Sequence, residues 1–257
     1  MKYFKRSIQY IYCTYALICF IIIMLMALPF VLVFSLLGKI KGGNLVYRVC
    51  NIWARIWYGC IGIHHKEIYE APHNVKRQYI FVANHSSYID IPVVVRSVQQ
   101  PVRVLGKQEM VKYPVFGWIY KAAVILVDRG SSEKRSRSVR ALRSALNHGI
   151  SIFIFPEGTF NETEKPLKEF YDGAFRVAIE TQTPIKPLLF IDSLKRLHWR
   201  SIFELTPGRN AVVFLEEVSV EGYTLKQLPL LKKHVHDIME AGLKRYNPEA
   251  PPPLKGN

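Results

Sequence analysis

The chain has 257 residues, which is enough for one domain with a substantial core and an appendage. Its formal net charge of +15 points to an anionic partner such as membrane lipid, nucleic acid or a phosphorylated substrate. The four cysteines all lie in the first quarter of the chain without the pair-and-histidine spacing of a zinc site, which argues against a disulfide framework and a metal centre.

The N-terminal segment, residues 7–38, contains no Asp, Glu, Lys, Arg or His. It is longer than the ~20 apolar residues that a helix needs to cross a bilayer. A signal peptide is the alternative interpretation, because basic residues precede the segment. However, the segment is too long for one, and no small-residue cleavage site follows it. We therefore expect a membrane anchor.

Basic residues flank this segment on both sides, at Lys2, Lys5, Arg6, Lys39, Lys41, Arg48 and Arg55. The positive-inside rule would keep both flanks in the cytoplasm. Gly42 and Gly43 permit a turn into a second helix, predicted over 45–61, whose Trp53 and Trp57 suit the membrane interface. We therefore expect residues 1–62 to form a two-helix anchor in one leaflet, at the cytoplasmic face of the inner (plasma) membrane, in preference to a single crossing.

Short apolar runs rich in Val, Ile and Phe begin near residue 78. Strands are predicted over 79–83, 102–105, 123–127, 150–155, 185–190 and 211–218. Because these runs are apolar on both faces, they favour an α/β fold in which a mostly parallel sheet is flanked by helices. No Gly-rich phosphate loop follows any of these strands, and no cofactor is expected.

Two amphipathic helices are predicted among these strands and after them, over 132–147 and 225–246, before an irregular Pro-rich tail at 248–257. The basic run 134–143 is the best candidate for nucleic-acid binding. It carries no interleaved aromatic residues, and a solvated helix face beside an anionic bilayer explains it equally well. Nucleic acid is therefore not expected as a partner.

A histidine and an aspartate directly follow the first predicted strand, in the run "NHSSYID" at 84–90. In α/β sheets this position holds ligand-binding and catalytic groups. His85 with Asp90 suggests a general base oriented by a carboxylate. The alternative is that Asp90 only caps the next helix, which has Pro92 in its first turn. This run alone does not separate the two interpretations.

A second polar turn, "FPEGTF" at 155–160, follows another predicted strand, so it should lie at the same sheet edge as His85. Here Glu157 is either a solvated turn residue or faces a substrate, and Gly158 is either a turn former or part of a binding loop.

Four sequence blocks together resemble the glycerolipid acyltransferases, the PlsC-like family of 1-acylglycerol-3-phosphate acyltransferase. The blocks are "NHSSYID", "GKQEMVKYPVFGWIYKAAVILVDR" at 106–129, "FPEGT" and "TPIKPLLF" at 183–190. Their order matches the family, and the resemblance covers roughly residues 78–190.

The resemblance implies that His85 is the general base and Asp90 its partner, and that an acceptor hydroxyl attacks an acyl thioester of coenzyme A or acyl carrier protein. It also implies a site for the acceptor's glycerol phosphate, formed by Arg129, Glu157, Gly158, Thr159 and Lys107. The acceptor would be a lysophospholipid at a membrane surface.

The chain departs from the family pattern at Phe160, where arginine is common. Losing a guanidinium is a serious change for a phosphate site. Either Lys165, Lys168 or Lys107 replaces it, or the acceptor is not simple lysophosphatidic acid.

The sequence therefore predicts a catalytic domain at 63–247 that acylates a lysophospholipid, with 1-acylglycerol-3-phosphate as the first candidate acceptor and phosphatidic acid as the product. The alternatives are an O-acyltransferase for another lyso-lipid, such as an amino-acid-containing one, and a non-catalytic lipid-binding membrane protein.

Overall fold

Seven strands form one sheet in the part of the chain that the computed structural model describes, residues 2–127 and 132–247. They are β1 (Ile63–Tyr69), β2 (Ile80–Ala83), β3 (Val102–Lys107), β4 (Val124–Val127), β5 (Ser151–Ile154), β6 (Ile185–Phe190) and β7 (Gly208–Phe214). Their order across the sheet is β1-β7-β6-β2-β5-β3-β4.

The strands β6, β2, β5, β3 and β4 are parallel to one another. The strand β7 pairs with β6 in the antiparallel direction, and β1 pairs with β7 in the parallel direction. The central strand β2 is buried along its whole length. This explains its apolar residues on both faces. The predicted α/β fold with a mostly parallel sheet is confirmed.

Helices cover both faces of the sheet. They are α1 (Lys2–Ser35), α2 (Gly43–Cys60), α3 (Asp90–Ser97), α4 (Phe116–Ala123), α5 (Ser132–Asn147), α6 (Gly173–Thr181), α7 (Ser193–Arg196) and α8 (Leu228–Tyr246). Alternate strand residues divide the core in two: one half packs against α5, α6 and α8, and the other against α1, α2 and α3. The carboxyl ends of the central parallel strands stay free for a site.

The N-terminal helices form a hairpin. Of the described helices, one is long and apolar enough to cross a membrane by length and composition, over Phe4–Ser35, where the mean hydropathy is 3.1. A short π-helical turn, Gly38–Gly42, leads into α2, which packs against α1. The Tyr12 hydroxyl donates to the Ile61 carbonyl at 2.7 Å, so the far end of the hairpin is closed by a hydrogen bond.

A buried arginine of β3 holds the hairpin turn against the sheet. The Arg103 guanidinium donates to the carbonyls of Lys39 at 2.8 Å, Ile40 at 3.2 Å and Val102 at 2.9 Å. A side chain at Gly43 would collide with this guanidinium, which explains the glycine. The turn between α1 and α2 is thus fixed by polar contacts to the sheet.

The helix α2 also packs against the body of the protein. The Tyr47 hydroxyl donates to the Val98 carbonyl at 2.9 Å, just beyond α3. Trp57 is buried, and its indole N–H donates to the Ala16 carbonyl of α1 at 2.9 Å. The expected interfacial position of Trp57 is therefore wrong, because packing between α1 and α2 takes up its indole.

The strand β1 was not predicted, because its polar run of His64, His65, Lys66 and Glu67 hides the alternation of an edge strand. The helix predicted over 45–61 runs from Gly43 to Cys60, and the one predicted over 225–246 begins with a 3₁₀ turn before α8. The predicted helix 132–147 is confirmed as α5. The tail 248–257 lies outside the described residues.

Candidate active site

The two polar loops meet at one sheet edge, as predicted. The strands β2 and β5 are adjacent and parallel, with Val82 opposite Ile154. The loop 84–90 follows β2 and the turn 155–160 follows β5. The carboxyl ends of neighbouring parallel strands share an edge, so His85 and Glu157 lie side by side there.

His85 and Asp90 are in contact. The imidazole Nδ1 lies 2.9 Å from Asp90 Oδ2, and the same oxygen accepts the backbone N–H groups of Ser86 at 2.8 Å and Ser87 at 2.9 Å. Because this oxygen already accepts two backbone N–H groups, we assign it as the acceptor toward the imidazole as well, so that Nδ1 carries the imidazole proton and Nε2 has a free lone pair. This is the tautomer that a general base requires.

Asp90 does more than cap a helix. It is the first residue of α3, and no side-chain cap hydrogen bond is present at this helix. Its carboxylate faces back onto the preceding loop and is fully buried. The geometry therefore favours orientation of His85 over the capping interpretation.

Two aromatic rings hold the imidazole. The ring of Phe155 stacks on His85 with centroids 3.9 Å apart, and the ring of Phe160 meets it edge-on at 4.5 Å. Tyr88 packs edge-on against the other side of Phe160 at 4.8 Å. The His85 side chain is 16% exposed, so it is restrained on its faces without being fully buried.

Glu157 is not a solvated turn residue, because it is 1% exposed. Its Oε1 accepts the backbone N–H of His85 at 2.8 Å, and its Oε2 accepts that of Lys168 at 2.9 Å. Burial raises the pKa of the Glu157 carboxyl to about 7, against the opposing effect of these hydrogen bonds and of the Lys168 ammonium. Glu157 thus joins the loop that carries His85 to the segment 155–168.

Gly158 and Thr159 shape the exposed side of the turn. Gly158 has a φ of 74°, a left-handed conformation that favours glycine. The Thr159 hydroxyl accepts a hydrogen bond from the Lys168 ammonium at 2.5 Å, and the Phe160 carbonyl accepts another at 3.2 Å. An ammonium has three N–H donors, so one remains for a ligand.

Three lysines were candidates to replace the missing arginine, and the structure places them differently. Lys168 is half-buried with its ammonium on the turn itself, and no carboxylate of the described residues lies within ion-pair distance of it. Lys165 is exposed and contributes its carbonyl, which accepts from the Asn161 amide at 2.8 Å. Lys107 is exposed at the end of β3, and Arg129 lies outside the described residues.

Several supporting residues were missed from the sequence. The Asn84 amide donates to the Phe190 carbonyl at 3.0 Å and accepts the Phe190 N–H at 2.8 Å, which ties the loop to β6. The Asn161 N–H donates to the His85 carbonyl at 2.6 Å. Asn84 lies within the "NHSSYID" block, whereas nothing in the sequence pattern indicated Asn161.

Comparison with known proteins gives a consistent result. The family model described as "Acyltransferase" matches residues 61–191, about half of the chain. The 1-acyl-sn-glycerol-3-phosphate acyltransferase of Limnanthes alba is 29% identical, covering 88% of this chain and 80% of its own. The enzyme of the same name from Salmonella typhimurium is 30% identical, covering 66% and 69%.

A solved structure shares the fold. The crystal structure of the 1-acyl-sn-glycerophosphate (LPA) acyltransferase PlsC from Thermotoga maritima superposes with a TM-score of 0.72 at 22% identity, over 95% of this chain and 97% of that one. The extent of the family match and of the sequence relatives shows that this chain is an enzyme of the acyltransferase family.

Proposed function

We propose that this enzyme transfers an acyl group from a thioester to the free hydroxyl of 1-acylglycerol-3-phosphate, giving phosphatidic acid. The observation that carries the proposal is the His85–Asp90 pair at the edge shared by β2 and β5. The sequence relatives that carry this acceptor in their names support the choice of substrate.

In the proposed reaction, the acceptor hydroxyl gives its proton to His85 Nε2 as its oxygen attacks the thioester carbonyl carbon. Asp90 then faces an imidazolium, which its carboxylate stabilises. As the tetrahedral intermediate collapses, the carbon–sulfur bond breaks and the thiolate takes the proton from Nε2. The proton is returned without an acyl-enzyme, so neither Ser86 nor Ser87 is needed as a nucleophile. Their backbone N–H groups bind the Asp90 carboxyl.

For the acceptor's phosphate we propose Lys168 as a principal ligand, with its ammonium held by Thr159 and the Phe160 carbonyl. Within residues 2–127 and 132–247 no carboxylate lies within ion-pair distance of this ammonium, so its remaining N–H group can bind a phosphate dianion through a charge-assisted hydrogen bond. Arg129 and Lys107 complete the proposed anion site, as the family resemblance implies. Glu157 and Gly158 contribute by shaping the turn that presents Thr159.

A second candidate acceptor is a lyso-lipid without a terminal phosphate, and the aromatic side chain at 160 favours it. Phe160 and the exposed Tyr88 present an apolar surface beside His85 where the family commonly has a guanidinium. Such a surface fits a neutral or zwitterionic head group better than it fits a phosphate dianion.

We propose further that residues 1–62 are the membrane anchor of a catalytic unit at 63–247, and that the site works at the cytoplasmic face of the inner membrane. The long apolar helix α1 supports the anchor. The lysines in the hairpin turn, Lys39 and Lys41, support the cytoplasmic side.

The test is acyl transfer by the purified full-length enzyme, measured with acyl-CoA and with acyl carrier protein thioester. Each donor is paired with lysophosphatidic acid and with zwitterionic and amino-acid-containing lyso-lipids. We expect phosphatidic acid with at least one donor, and none from His85→Ala. Acylation of another lyso-lipid but not of lysophosphatidic acid, with either donor, would overturn the proposed acceptor.

A further inference from the structure

A second surface, separate from the apolar hairpin, has the composition of a membrane-contact site. It is the 108–123 segment, which consists of the 3₁₀ turn Gln108–Lys112 and the helix α4. This helix lies against both α1 and α2. The segment is therefore continuous with the helix that is apolar enough to enter a bilayer.

The inner side of the 108–123 segment is closely packed. A side chain at Gly117 would collide with the Val111 carbonyl, so the glycine lets the turn fold directly onto α4. The Tyr120 hydroxyl lies against Gly106 of β3, and its ring packs on Phe116 at 5.5 Å. These contacts fix which side chains face outward.

The outward side presents aromatic rings and ammonium groups together. Trp118 is 59% exposed and Tyr113 is 49% exposed. Lys112 is exposed with its ammonium 5.5 Å from the Tyr113 ring, and Lys121 is exposed near the end of α4. The nearby hairpin turn adds exposed Lys39 and Lys41, against one exposed carboxylate in the segment, that of Glu109.

We infer that the 108–123 segment binds the head-group layer of an anionic bilayer, with Trp118 and Tyr113 inserted and Lys112 and Lys121 on the lipid phosphates. Tryptophan and tyrosine favour the membrane–water interface, and basic side chains on the same surface are attracted to anionic lipid. The hairpin is packed on the body, so with the hairpin as the single membrane contact the two would tilt together at the membrane surface. A second contact directly after β3 holds the active-site edge in one orientation.

The position of Trp118 tests this inference in full-length protein reconstituted into vesicles of phosphatidylcholine and phosphatidylglycerol. The difference in tryptophan fluorescence between the wild type and Trp118→Phe gives the signal of Trp118. Quenching of this signal by lipids brominated near the head group then measures how deep Trp118 lies in the bilayer. The reference is Leu230→Trp, at a 60% exposed position of α8 on the opposite face of the sheet. We expect strong quenching at Trp118 and none at the reference. Equal quenching at the two positions would overturn the inference.

The lysines give an independent measurement. Lys112→Glu with Lys121→Glu should raise the apparent KM for acceptor in anionic vesicles roughly 30-fold, since each of the two basic residues near such a surface contributes ~1 kcal/mol. The kcat in detergent micelles should stay within about twofold, because neither lysine is placed in the active site. Lys66→Glu with Lys226→Glu, both exposed, makes the same change of charge elsewhere. If both pairs raise the KM equally, the effect is general electrostatics and the inference fails.

Discussion

At the scale of single residues, two buried carboxylates organise the site through main-chain contacts. Asp90 gathers two backbone N–H groups and the imidazole on one oxygen. Glu157 binds the backbone of His85 with one oxygen and that of Lys168 with the other. His85, the proposed base, is thus positioned through its side chain and through its own main chain.

Mutations can show whether Asp90 orients the His85 imidazole or caps the helix α3. His85→Ala should reduce kcat by about 10²–10⁴-fold or more, which is the usual effect of losing a general base. Asp90→Asn should also lower kcat strongly, because an amide cannot stabilise the imidazolium, although asparagine is a good helix cap. Circular dichroism and thermal unfolding of both variants serve as controls for folding. Near-normal turnover by Asp90→Asn would restore the capping interpretation.

Glu157 should make stability depend on pH. Its pKa is raised in the folded protein from 4.5 to about 7, so the folded state binds the extra proton in this range. Stability should therefore fall as pH rises from about 4.5 to 7, by at most ~1.4 kcal/mol per pH unit for this group. In Glu157→Gln this slope should flatten and kcat should drop, since an amide nitrogen cannot accept a backbone N–H.

Thermal unfolding in detergent at several pH values measures the slope. Glu162→Gln, at an exposed carboxylate of the same segment, is the control and should retain the wild-type slope. An unchanged slope in Glu157→Gln would show that its carboxyl does not titrate in this range.

The proposed contact between Lys168 and the acceptor phosphate is tested by removing the positive charge at 168 and then adding one at 160. Lys168→Met should raise the KM for lysophosphatidic acid by about 10–150-fold, which corresponds to ~1.5–3 kcal/mol for a charge-assisted hydrogen bond, and should leave the thioester KM nearly unchanged. Adding Phe160→Arg to this variant should recover part of the loss. It should also lower kcat, because Phe160 packs on His85.

Lys165→Met, at an exposed lysine three positions away, is the matched control and should have little effect. A wild-type KM in Lys168→Met would place the phosphate elsewhere. The wild-type enzyme is assayed on lysophosphatidic acid in the same series. If the wild type does not acylate this lipid, the proposed acceptor is wrong; if it does and Lys168→Met keeps the wild-type KM, only the proposed contact is wrong.

At the scale of elements, the sequence predicted those helices and strands whose apolar residues recur with the spacing of a helix or run along a buried strand. The buried strands and α5 were predictable from apolar runs and helical spacing, and the convergence of 84–90 with 155–160 followed from their positions after parallel strands. The strand β1 was not predictable, because an edge strand needs little apolar surface. The contact of Phe160 with His85 was also hidden, since it depends on how the turn folds back.

The hairpin turn should depend on Arg103. In Arg103→Leu the part-buried carbonyls of Lys39 and Ile40 lose their donor, which costs at most about 1–3 kcal/mol. Gly43→Ala should act in the same direction, because the new methyl group would displace the guanidinium. Limited proteolysis between α1 and α2 in detergent measures the loosening. Gly59→Ala, where nothing lies within 4 Å of an added Cβ, should stay resistant.

At the scale of the whole molecule, the sheet face that carries α1, α2 and α3 is the one directed toward the membrane in the proposed arrangement. The antiparallel strand β7 reverses the outer part of the sheet, so the carboxyl ends of β1 and β7 lie at the edge opposite His85. The candidate site therefore lies at the edge formed by the carboxyl ends of the parallel strands, which include β2, β5, β3 and β6.

The single-leaflet anchor predicts that both ends of α1 are reachable from one side. Phe4→Cys and Leu37→Cys, at 70% and 55% exposed positions, should react with a membrane-impermeant maleimide from the same side of sealed vesicles. The background is Cys60→Ser, which removes the exposed native cysteine. Reaction of the two positions from opposite sides would establish a crossing and reject the single-leaflet hairpin.

Glu157 lies at a boundary between two tasks that are otherwise separate in the chain. In the proposed mechanism the loop 84–90 would perform the proton transfer and the stretch from Gly158 to Lys168 would recognise the acceptor. The carboxylate of Glu157 links the two through hydrogen bonds to main-chain groups. Hydrogen bonds to main-chain groups do not depend on side-chain identity. Residues 158–168 can therefore accumulate substitutions while His85 keeps its position. Such modularity would let related enzymes diverge in acceptor preference, and it makes 158–168 the natural unit to exchange when a new acceptor is engineered.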